Sequence, residues 1–151
     1  MKTKILAVAS IGGHWIQLLR IAKPMEEQYE VVYLCTHPKC ATMVEGHQFI
    51  QIEDYSRWDA WKMVPSFFSL LKIIRKEKPD AILTTGAAPG LMCILAGKVL
   101  GKKTVWVDSI ANVQHLSASG RIATKFASKV YTQWQDLATT RITYAGNIIG
   151  S

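Results

Sequence analysis

A glycine-rich turn with a histidine separates the first apolar run of the chain from the first helical pattern. Gly12, Gly13 and His14 follow a run that ends at Ala9. Glycine lacks a Cβ and tolerates positive φ, so the backbone of this turn can approach a ligand closely. The free N–H groups at the start of a helix also attract anions. The turn therefore predicts a phosphate cradle, with His14 as a candidate base for a substrate hydroxyl. The alternative for His14 is a structural histidine that caps the turn.

A second glycine-rich turn, Gly-Ala-Ala-Pro-Gly, runs from Gly86 to Gly90 and opens another predicted helix. Proline suits the first turn of a helix, and a second helix start would add a second anion cradle. The residues predicted to contact phosphate here are Gly86, Ala87, Pro89 and Gly90. A tight turn without a ligand is the alternative. Neither turn matches G-x-G-x-x-G, and no acidic residue ends the second strand, so a standard dinucleotide site is disfavoured.

Asp108 ends the apolar strand Val-Trp-Val and has no acidic neighbour nearby in the sequence. A lone carboxylate at an apolar strand end is a candidate base or a binder of hydroxyl groups. The alternative is a turn or helix cap that begins at Asp108 and covers the stretch from Ser109 to Asn112.

The cysteines favour a reduced cytoplasmic protein. The chain has three, an odd number, and no signal peptide precedes its first strand. Cys35, His37 and Cys40 lack a fourth ligand and the short spacing of a zinc motif, so we expect buried thiols in a strand-end loop and no metal site. The chain contains no apolar stretch of roughly 18 uncharged residues, so we do not expect it to cross a membrane alone.

Strand-like and helix-like segments alternate along the whole chain. The predicted strands are Lys4–Ala9, Val31–Cys35, Phe49–Ile52, Ala81–Thr84, Thr104–Val107, Lys129–Thr132 and Ile142–Ala145. The predicted helices are Trp15–Ala22, a short turn at Pro38–Glu45, Trp61–Lys76, Gly90–Leu100 and Ile122–Ser128. This order predicts a single α/β domain over residues 1–151, a Rossmann-like parallel sheet with helices on both faces. Polar loops follow these strands, and the carboxyl ends of parallel strands share one edge, so we expect the loops to converge on one site.

The charge pattern favours an anionic partner. Lysine and arginine number 18 against 11 acids, which gives a net charge of +7 and favours nucleotide phosphates, lipid phosphates or an anionic membrane. Within the predicted helix Trp61–Lys76, an apolar stripe at helical spacing predicts core packing. The aromatic residues off that stripe, together with its basic end, predict contact with a membrane interface. The predicted membrane-contact residues are Trp58, Trp61, Phe68 and Arg75.

Three stretches together carry a resemblance to a known family. They are "SIGGHWIQLLRI", the long segment from "TTGAAPG" to "YTQWQDL", and the ending "YAGNIIG". Within the long segment, "VDSIANVQHLSASGR" followed by "ASKVYTQW" is the part most similar to the family. The chain resembles the asparagine-linked-glycosylation protein fourteen family and its bacterial relatives in capsule and exopolysaccharide synthesis. It is more distantly similar to the N-terminal acceptor domain of MurG glycosyltransferases. The usual form of the family has a glutamate where this chain has Asp108.

The resemblance implies the N-terminal, acceptor-binding half of a GT-B glycosyltransferase, a hexosyl- or hexuronosyltransferase active only with a partner. A separate subunit would bind the UDP-sugar, which is a substrate and not a cofactor. The acceptor would be a polyprenyl-diphosphate-linked saccharide at the cytoplasmic face of the inner membrane, and nucleic acid would not be a partner. Because this chain enters its first strand at once, surface residues or the partner would provide peripheral membrane attachment.

By the same resemblance, Gly12, Gly13 and His14 would line the acceptor pocket, and the turn Gly86–Gly90 would approach the diphosphate or the nucleotide. Asp108, Ser109 and Asn112 would contact the acceptor or the transferred sugar. Two other hypotheses stay open. One is a non-catalytic membrane adaptor that recruits and activates a catalytic subunit, and the other, from fold class alone, is a flavodoxin-like redox protein.

Overall fold

The computed structural model describes residues 2–55 and 59–148. Seven strands form one sheet in the order β3-β2-β1-β4-β5-β6-β7, and every neighbouring pair is parallel. The strands are β1 (Lys4–Ala9), β2 (Glu30–Cys35), β3 (Phe49–Gln51), β4 (Ala81–Thr84), β5 (Lys103–Val107), β6 (Lys129–Thr132) and β7 (Ile142–Tyr144). The helices are α1 (Gly13–Met25), α2 (Ala60–Glu77), α3 (Ala88–Val99) and α4 (Ala118–Phe126). Short 3-10 helices span Pro38–Met43 and Gln135–Leu137. The predicted Rossmann-like sheet is confirmed.

The position of α4 differs from the prediction of a helix over Ile122–Ser128. Ser117 caps the helix, because its Oγ accepts a hydrogen bond of 2.9 Å from the N–H of Gly120. The helix ends at Phe126, since Ala127 has an extended backbone. A serine before a short polar segment is a cap signal, and the apolar periodicity alone placed the helix too late.

The strands bury side chains on both faces of the sheet. On one face, Leu6, Val8 and Ile82 pack under α2, α3 and α4. On the other face, Ile5 and Ala7 pack with residues of α1 such as Trp15. This alternation along β1 explains why the strand reads as a continuous apolar run.

The face that carries α1 is only partly covered. Between α1, β4, β5 and β6 lies a cavity of about 400 Å³, closed on one side by residues 145–148. Val105, Val107 and Tyr131 line it and are half-buried. The sheet therefore presents an apolar surface where a further helix could pack.

Cys35 at the end of β2 and Cys40 in the loop that follows are both buried, as expected. The Sγ atoms of Cys35 and Cys40 lie 2.7 Å apart. Burial, with the hydrogen bond to Cys35, raises the pKa of the Cys40 thiol to about 12, and burial alone raises the pKa of Cys93 to about 12. Within the described ranges, no three His, Cys, Asp or Glu side chains cluster as metal ligands would. In the same residues, no helix has both the length and the apolarity of a bilayer span.

Candidate active site

The loops that follow β1, β4 and β5 meet at the carboxyl edge of the sheet. They enclose a cleft of about 190 Å³. The residues that line it are His14, Thr85, Gly86, Ala87, Trp106, Asp108, Ser117, Ala118 and Ser119. The strand order places β1 next to β4 and β4 next to β5, so these three loops are neighbours. The structure thus brings together both candidate bases and part of the second glycine-rich turn.

The imidazole ring of His14 is held by one hydrogen bond across the cleft. Its Nδ1 lies 3.0 Å from the carbonyl oxygen of Thr85. A carbonyl oxygen can only accept, so Nδ1 must be the donor, and in the neutral ring Nε2 carries the lone pair. Among the described residues, Nε2 has no hydrogen-bond partner. The ring is therefore arranged as a proton acceptor. This arrangement favours the role of His14 as a base over the structural role of capping the turn.

Asp108 is 1% exposed, and both of its carboxylate oxygens are engaged. Oδ1 accepts from Trp106 Nε1 at 3.0 Å and from Ser117 Oγ at 2.7 Å. Oδ2 accepts from Asn112 Nδ2 and from the N–H of Ser117, both at 3.0 Å. The carboxylate therefore ties together the two ends of the loop from β5 to α4. This is the structural role that the sequence offered as the alternative for Asp108. A direct role for Asp108 or Asn112 in acceptor binding stays a prediction.

A second network lies behind this loop and involves two buried glutamines that the sequence did not single out as site residues. Gln17 Nε2 donates to Ser109 Oγ at 3.1 Å, and Gln17 Oε1 accepts from the N–H of Ile110 at 3.1 Å. Gln133 Nε2 donates to Gln17 Oε1 at 2.8 Å and to the carbonyl of Asp108 at 2.9 Å. The one signal for this network in the sequence is an uncharged amide among apolar residues of α1 and directly after β6. Ser109 thus helps to hold the loop through its bond with Gln17. Its predicted contact with the acceptor stays untested.

The two glycine-rich turns differ in how open they are. Gly12 and Gly13 are exposed, Gly12 has a φ of 102°, and no side chain caps α1. In contrast, Gly90 and Pro89 are buried, and a Cβ at Gly90 would lie 2.3 Å from Thr84 Oγ1. Close packing of α3 on β4 therefore explains Gly90. The geometry favours the start of α1 for an anion, and the phosphate contacts predicted for Pro89 and Gly90 stay untested.

Ser10 lies between β1 and the first glycine-rich turn, and its Oγ is the one buried side-chain polar atom in the described residues that lacks a partner. A buried hydroxyl without a hydrogen bond lowers stability, so we expect Ser10→Ala to raise the free energy of unfolding by about 1 kcal/mol. Urea denaturation monitored by circular dichroism measures this change.

Ser66→Ala is the matched control for this prediction. The Ser66 hydroxyl is buried but lies 2.7 Å from Tyr55 OH, so its removal should lower stability. A Ser10→Ala variant that loses as much stability as Ser66→Ala would contradict the prediction.

The predicted membrane-contact residues on α2 are solvent-exposed. Trp61 is 73% exposed and Phe68 is 58% exposed, and Arg75 is exposed as well. Trp58 lies outside the described residues. Val64, which the sequence analysis did not name, is 61% exposed between the two aromatic residues.

Comparison with known proteins shows which family the chain matches. The family model described as "Oligosaccharide biosynthesis protein Alg14 like" matches residues 52–148. Over 66 residues the chain is 44% identical to the UDP-N-acetylglucosamine transferase subunit alg14 of Schizosaccharomyces pombe, covering 40% of this chain and 31% of that relative.

Over 141 residues it is 24% identical to the UDP-N-acetylglucosamine--N-acetylmuramyl-(pentapeptide) pyrophosphoryl-undecaprenol N-acetylglucosamine transferase of Staphylococcus saprophyticus, covering 84% of this chain and 38% of that relative. The crystal structure of Acinetobacter baumannii MurG superimposes with a TM-score of 0.81 at 18% identity, over 99% of this chain and 46% of that one. The last likeness concerns the fold, and the matched part is less than half of each relative. The chain belongs to the Alg14-like family of oligosaccharide biosynthesis proteins.

Proposed function

We propose that this chain is the acceptor-side subunit of a two-subunit GT-B glycosyltransferase. It would transfer a sugar from a UDP-sugar to a polyprenyl-diphosphate-linked saccharide in polysaccharide synthesis. The observation that carries the proposal is the arrangement of His14, which lines the cleft with Nδ1 bonded to Thr85 and, among the described residues, no partner at Nε2. The printed names of two relatives, a UDP-N-acetylglucosamine transferase subunit and an enzyme acting on a pyrophosphoryl-undecaprenol substrate, support this class of donor and acceptor.

The reaction needs one base on this chain. Nε2 of His14 takes the proton of the acceptor hydroxyl while that oxygen attacks the anomeric carbon of the sugar. The new C–O bond forms as the bond to UDP breaks, UDP leaves with the electron pair, and the configuration at the anomeric carbon inverts. This transfer needs no cofactor on the chain.

The diphosphate of the acceptor would bind at the start of α1. The N–H groups of the first turn have no partner within the helix, and the helix dipole adds positive potential there. Exposed Gly12 and Gly13 leave that end open to a ligand. This site adjoins His14, so the acceptor hydroxyl and its phosphates would bind side by side.

A partner subunit would supply the nucleotide-sugar site. The chain aligns with 46% of the MurG chain, and the printed name of the Schizosaccharomyces pombe relative calls that protein a transferase subunit. The apolar cavity of about 400 Å³ on the half-covered sheet face gives such a subunit a surface on which to pack. Burial of this surface would contribute to a stable complex, because apolar area removed from water is favourable.

The layer formed by α2, α3 and α4 would face an anionic membrane from the cytoplasmic side. It exposes apolar side chains in each helix, including Phe68, Val99 at 68% and Ile122 at 46%. In the sequence of these helices the one acid is Glu77, which is buried and paired with Lys4 at 3.2 Å. The cations of the layer are Lys62, Lys72, Arg75, Lys76, Lys98, Arg121 and Lys125. Exposed apolar groups beside cations suit anionic lipid headgroups.

A double substitution tests the membrane surface. We expect Trp61→Ser with Phe68→Ser to weaken binding to phosphatidylglycerol vesicles by about tenfold, because each exposed aromatic loses apolar burial in the interface. Vesicle co-sedimentation measures the partition. Tyr144→Ser, which removes a 38% exposed aromatic from β7, should bind as the unchanged chain does. Equal binding to phosphatidylcholine vesicles would count against the role of the cations.

Co-expression tests the proposed activity. The chain and a candidate UDP-sugar-binding subunit are purified separately and together, and transfer from labelled UDP-sugars to a synthetic polyprenyl-diphosphate saccharide is measured in detergent. We expect turnover only from the pair. Full turnover by the partner alone would favour the second candidate, a membrane adaptor, for which the exposed apolar and basic layer is the supporting observation.

A further inference from the structure

The two turns around His14 are joined by a reciprocal pair of hydrogen bonds. Thr85 Oγ1 donates to the carbonyl oxygen of His14 at 2.6 Å, and the carbonyl oxygen of Thr85 accepts from His14 Nδ1 at 3.0 Å. The bond from Thr85 Oγ1 holds the backbone of residue 14, and the bond to the Thr85 carbonyl holds its ring. Both depend on a single residue that lies 71 positions away in the sequence.

Gly86 contributes space for the same ring. It has a φ of +117°, and a Cβ built on it would lie 2.9 Å from His14 Nδ1 and 3.0 Å from Cε1. A Cβ at those distances would displace the imidazole or the turn. A phosphate contact was predicted for Gly86, whereas the side chain nearest to a Cβ built at this position is that of His14.

The turn is itself anchored to β1. Thr84 Oγ1 donates to the carbonyl oxygen of Val8 at 2.7 Å and accepts from the N–H of Gly86 at 3.2 Å. The carbonyl that receives His14 Nδ1–H is therefore part of a fixed backbone. A fixed acceptor selects one tautomer of the ring it binds.

We infer that Thr85 and Gly86 are positioning residues that hold His14 as the Nδ1–H tautomer and so present Nε2 as the proton acceptor. Neither residue touches the reacting atoms in this assignment. The consequence for turnover rests on the proposed function, whereas the tautomer is a property of the chain itself and can be measured without any substrate.

Nitrogen NMR of the full chain, labelled with ¹⁵N-histidine, reads the tautomer directly. The chain has four histidines, and His14→Gln assigns the signal of residue 14. We expect a protonated Nδ1 and an unprotonated Nε2 at a pH where the ring is neutral. A dominant Nε2–H tautomer would overturn the inference.

Two matched pairs of variants extend the test. Gly86→Ala should disturb the His14 signals and lower kcat of the assembled enzyme by about 10²-fold, since a small misplacement of a reacting group is costly. Gly46→Ala also places alanine at a positive φ of +88°, but with nothing within 4 Å, and should change neither readout. Thr85→Val keeps the carbonyl that binds Nδ1 but removes the bond from Oγ1 to the backbone of residue 14, so it should shift or broaden the His14 signals, and Thr85→Ser should restore them.

These readouts separate the inference from the proposed function. An unchanged His14 spectrum in both Gly86→Ala and Thr85→Val would overturn the inference. If Gly86→Ala does not fold, the unchanged chain and the Thr85 pair decide the question. The Nδ1–H tautomer in a complex that shows no sugar transfer would support the inference and count against the proposed function.

Discussion

Replacement of His14 by alanine in the assembled enzyme should lower kcat for sugar transfer by about 10²- to 10⁴-fold, the usual contribution of a positioned base. The physical reason is that Nε2 is the ring nitrogen left free to accept a proton once Nδ1 is bonded to Thr85. His14→Gln should behave in the same way, because glutamine keeps a polar side chain but cannot take up the proton. Steady-state kinetics with saturating acceptor measures the change.

His47→Ala is the matched control for this prediction. His47 pairs with Glu26 at 3.2 Å and stacks edge-on against Tyr33. It is absent from the lining of the cleft, so its loss should leave kcat unchanged. If both His14 variants keep kcat within about threefold of the unchanged enzyme, they lose far less than a catalytic base contributes and the assignment of the base is wrong.

Replacement of Asp108 by alanine should lower the free energy of unfolding by about 3 kcal/mol, because it leaves several buried donors without their acceptor. Trp106 Nε1, Ser117 Oγ and Asn112 Nδ2 all lose a bond to this carboxylate. The variant Asp108→Asn keeps the shape but turns an amide donor towards these donors, so it should also be destabilising. Urea denaturation of the purified chain measures both changes.

Asp136→Ala is the control, since this carboxylate is exposed and its loss should change stability by no more than about 0.5 kcal/mol. A stability loss in Asp108→Ala no larger than in this control would contradict the loop-holding role. A variant Asp108→Asn that folds normally but has lost turnover would instead support the prediction that Asp108 acts on the acceptor.

The structure shows how much space is available at position 108, where the family that the chain resembles usually has glutamate. A Cβ at Gly120 would lie 2.4 Å from Asp108 Oδ1 and 3.1 Å from Trp106 Nε1, so the start of α4 packs directly against the carboxylate. The shorter aspartate fits this close approach. A glutamate at position 108 would need the start of α4 to move outward.

The sheet could be predicted from the sequence because its signals are local. Short β-rich runs bounded by polar turns predict strands, and their alternation with helices predicts parallel pairing. β1, β4 and β6 have the predicted bounds, and the other strands differ by one residue at one end. The convergence of the polar loops also follows from topology, because the carboxyl ends of parallel strands lie at one edge.

The roles of individual site residues could not be predicted from local sequence signals. The sequence singled out His14, Gly86 and Asp108 as candidates, but it treated the glycine as a phosphate contact. Hydrogen bonds between loops distant in the sequence decide such roles. The bond from Gln133 to Gln17 spans 116 positions and appears in no local pattern.

The sequence by itself therefore determined the parallel α/β sheet, the edge at which the site lies and the residue types gathered there. These depend on the period of apolar residues and on the conformational freedom of glycine, which are properties of short segments. Only the tertiary structure decided that Thr85 orients His14, that Gly86 makes room for the ring and that both carboxylate oxygens of Asp108 are hydrogen-bonded. Each of these roles depends on which strands are neighbours and how closely their loops approach, and that is settled when the whole sheet assembles.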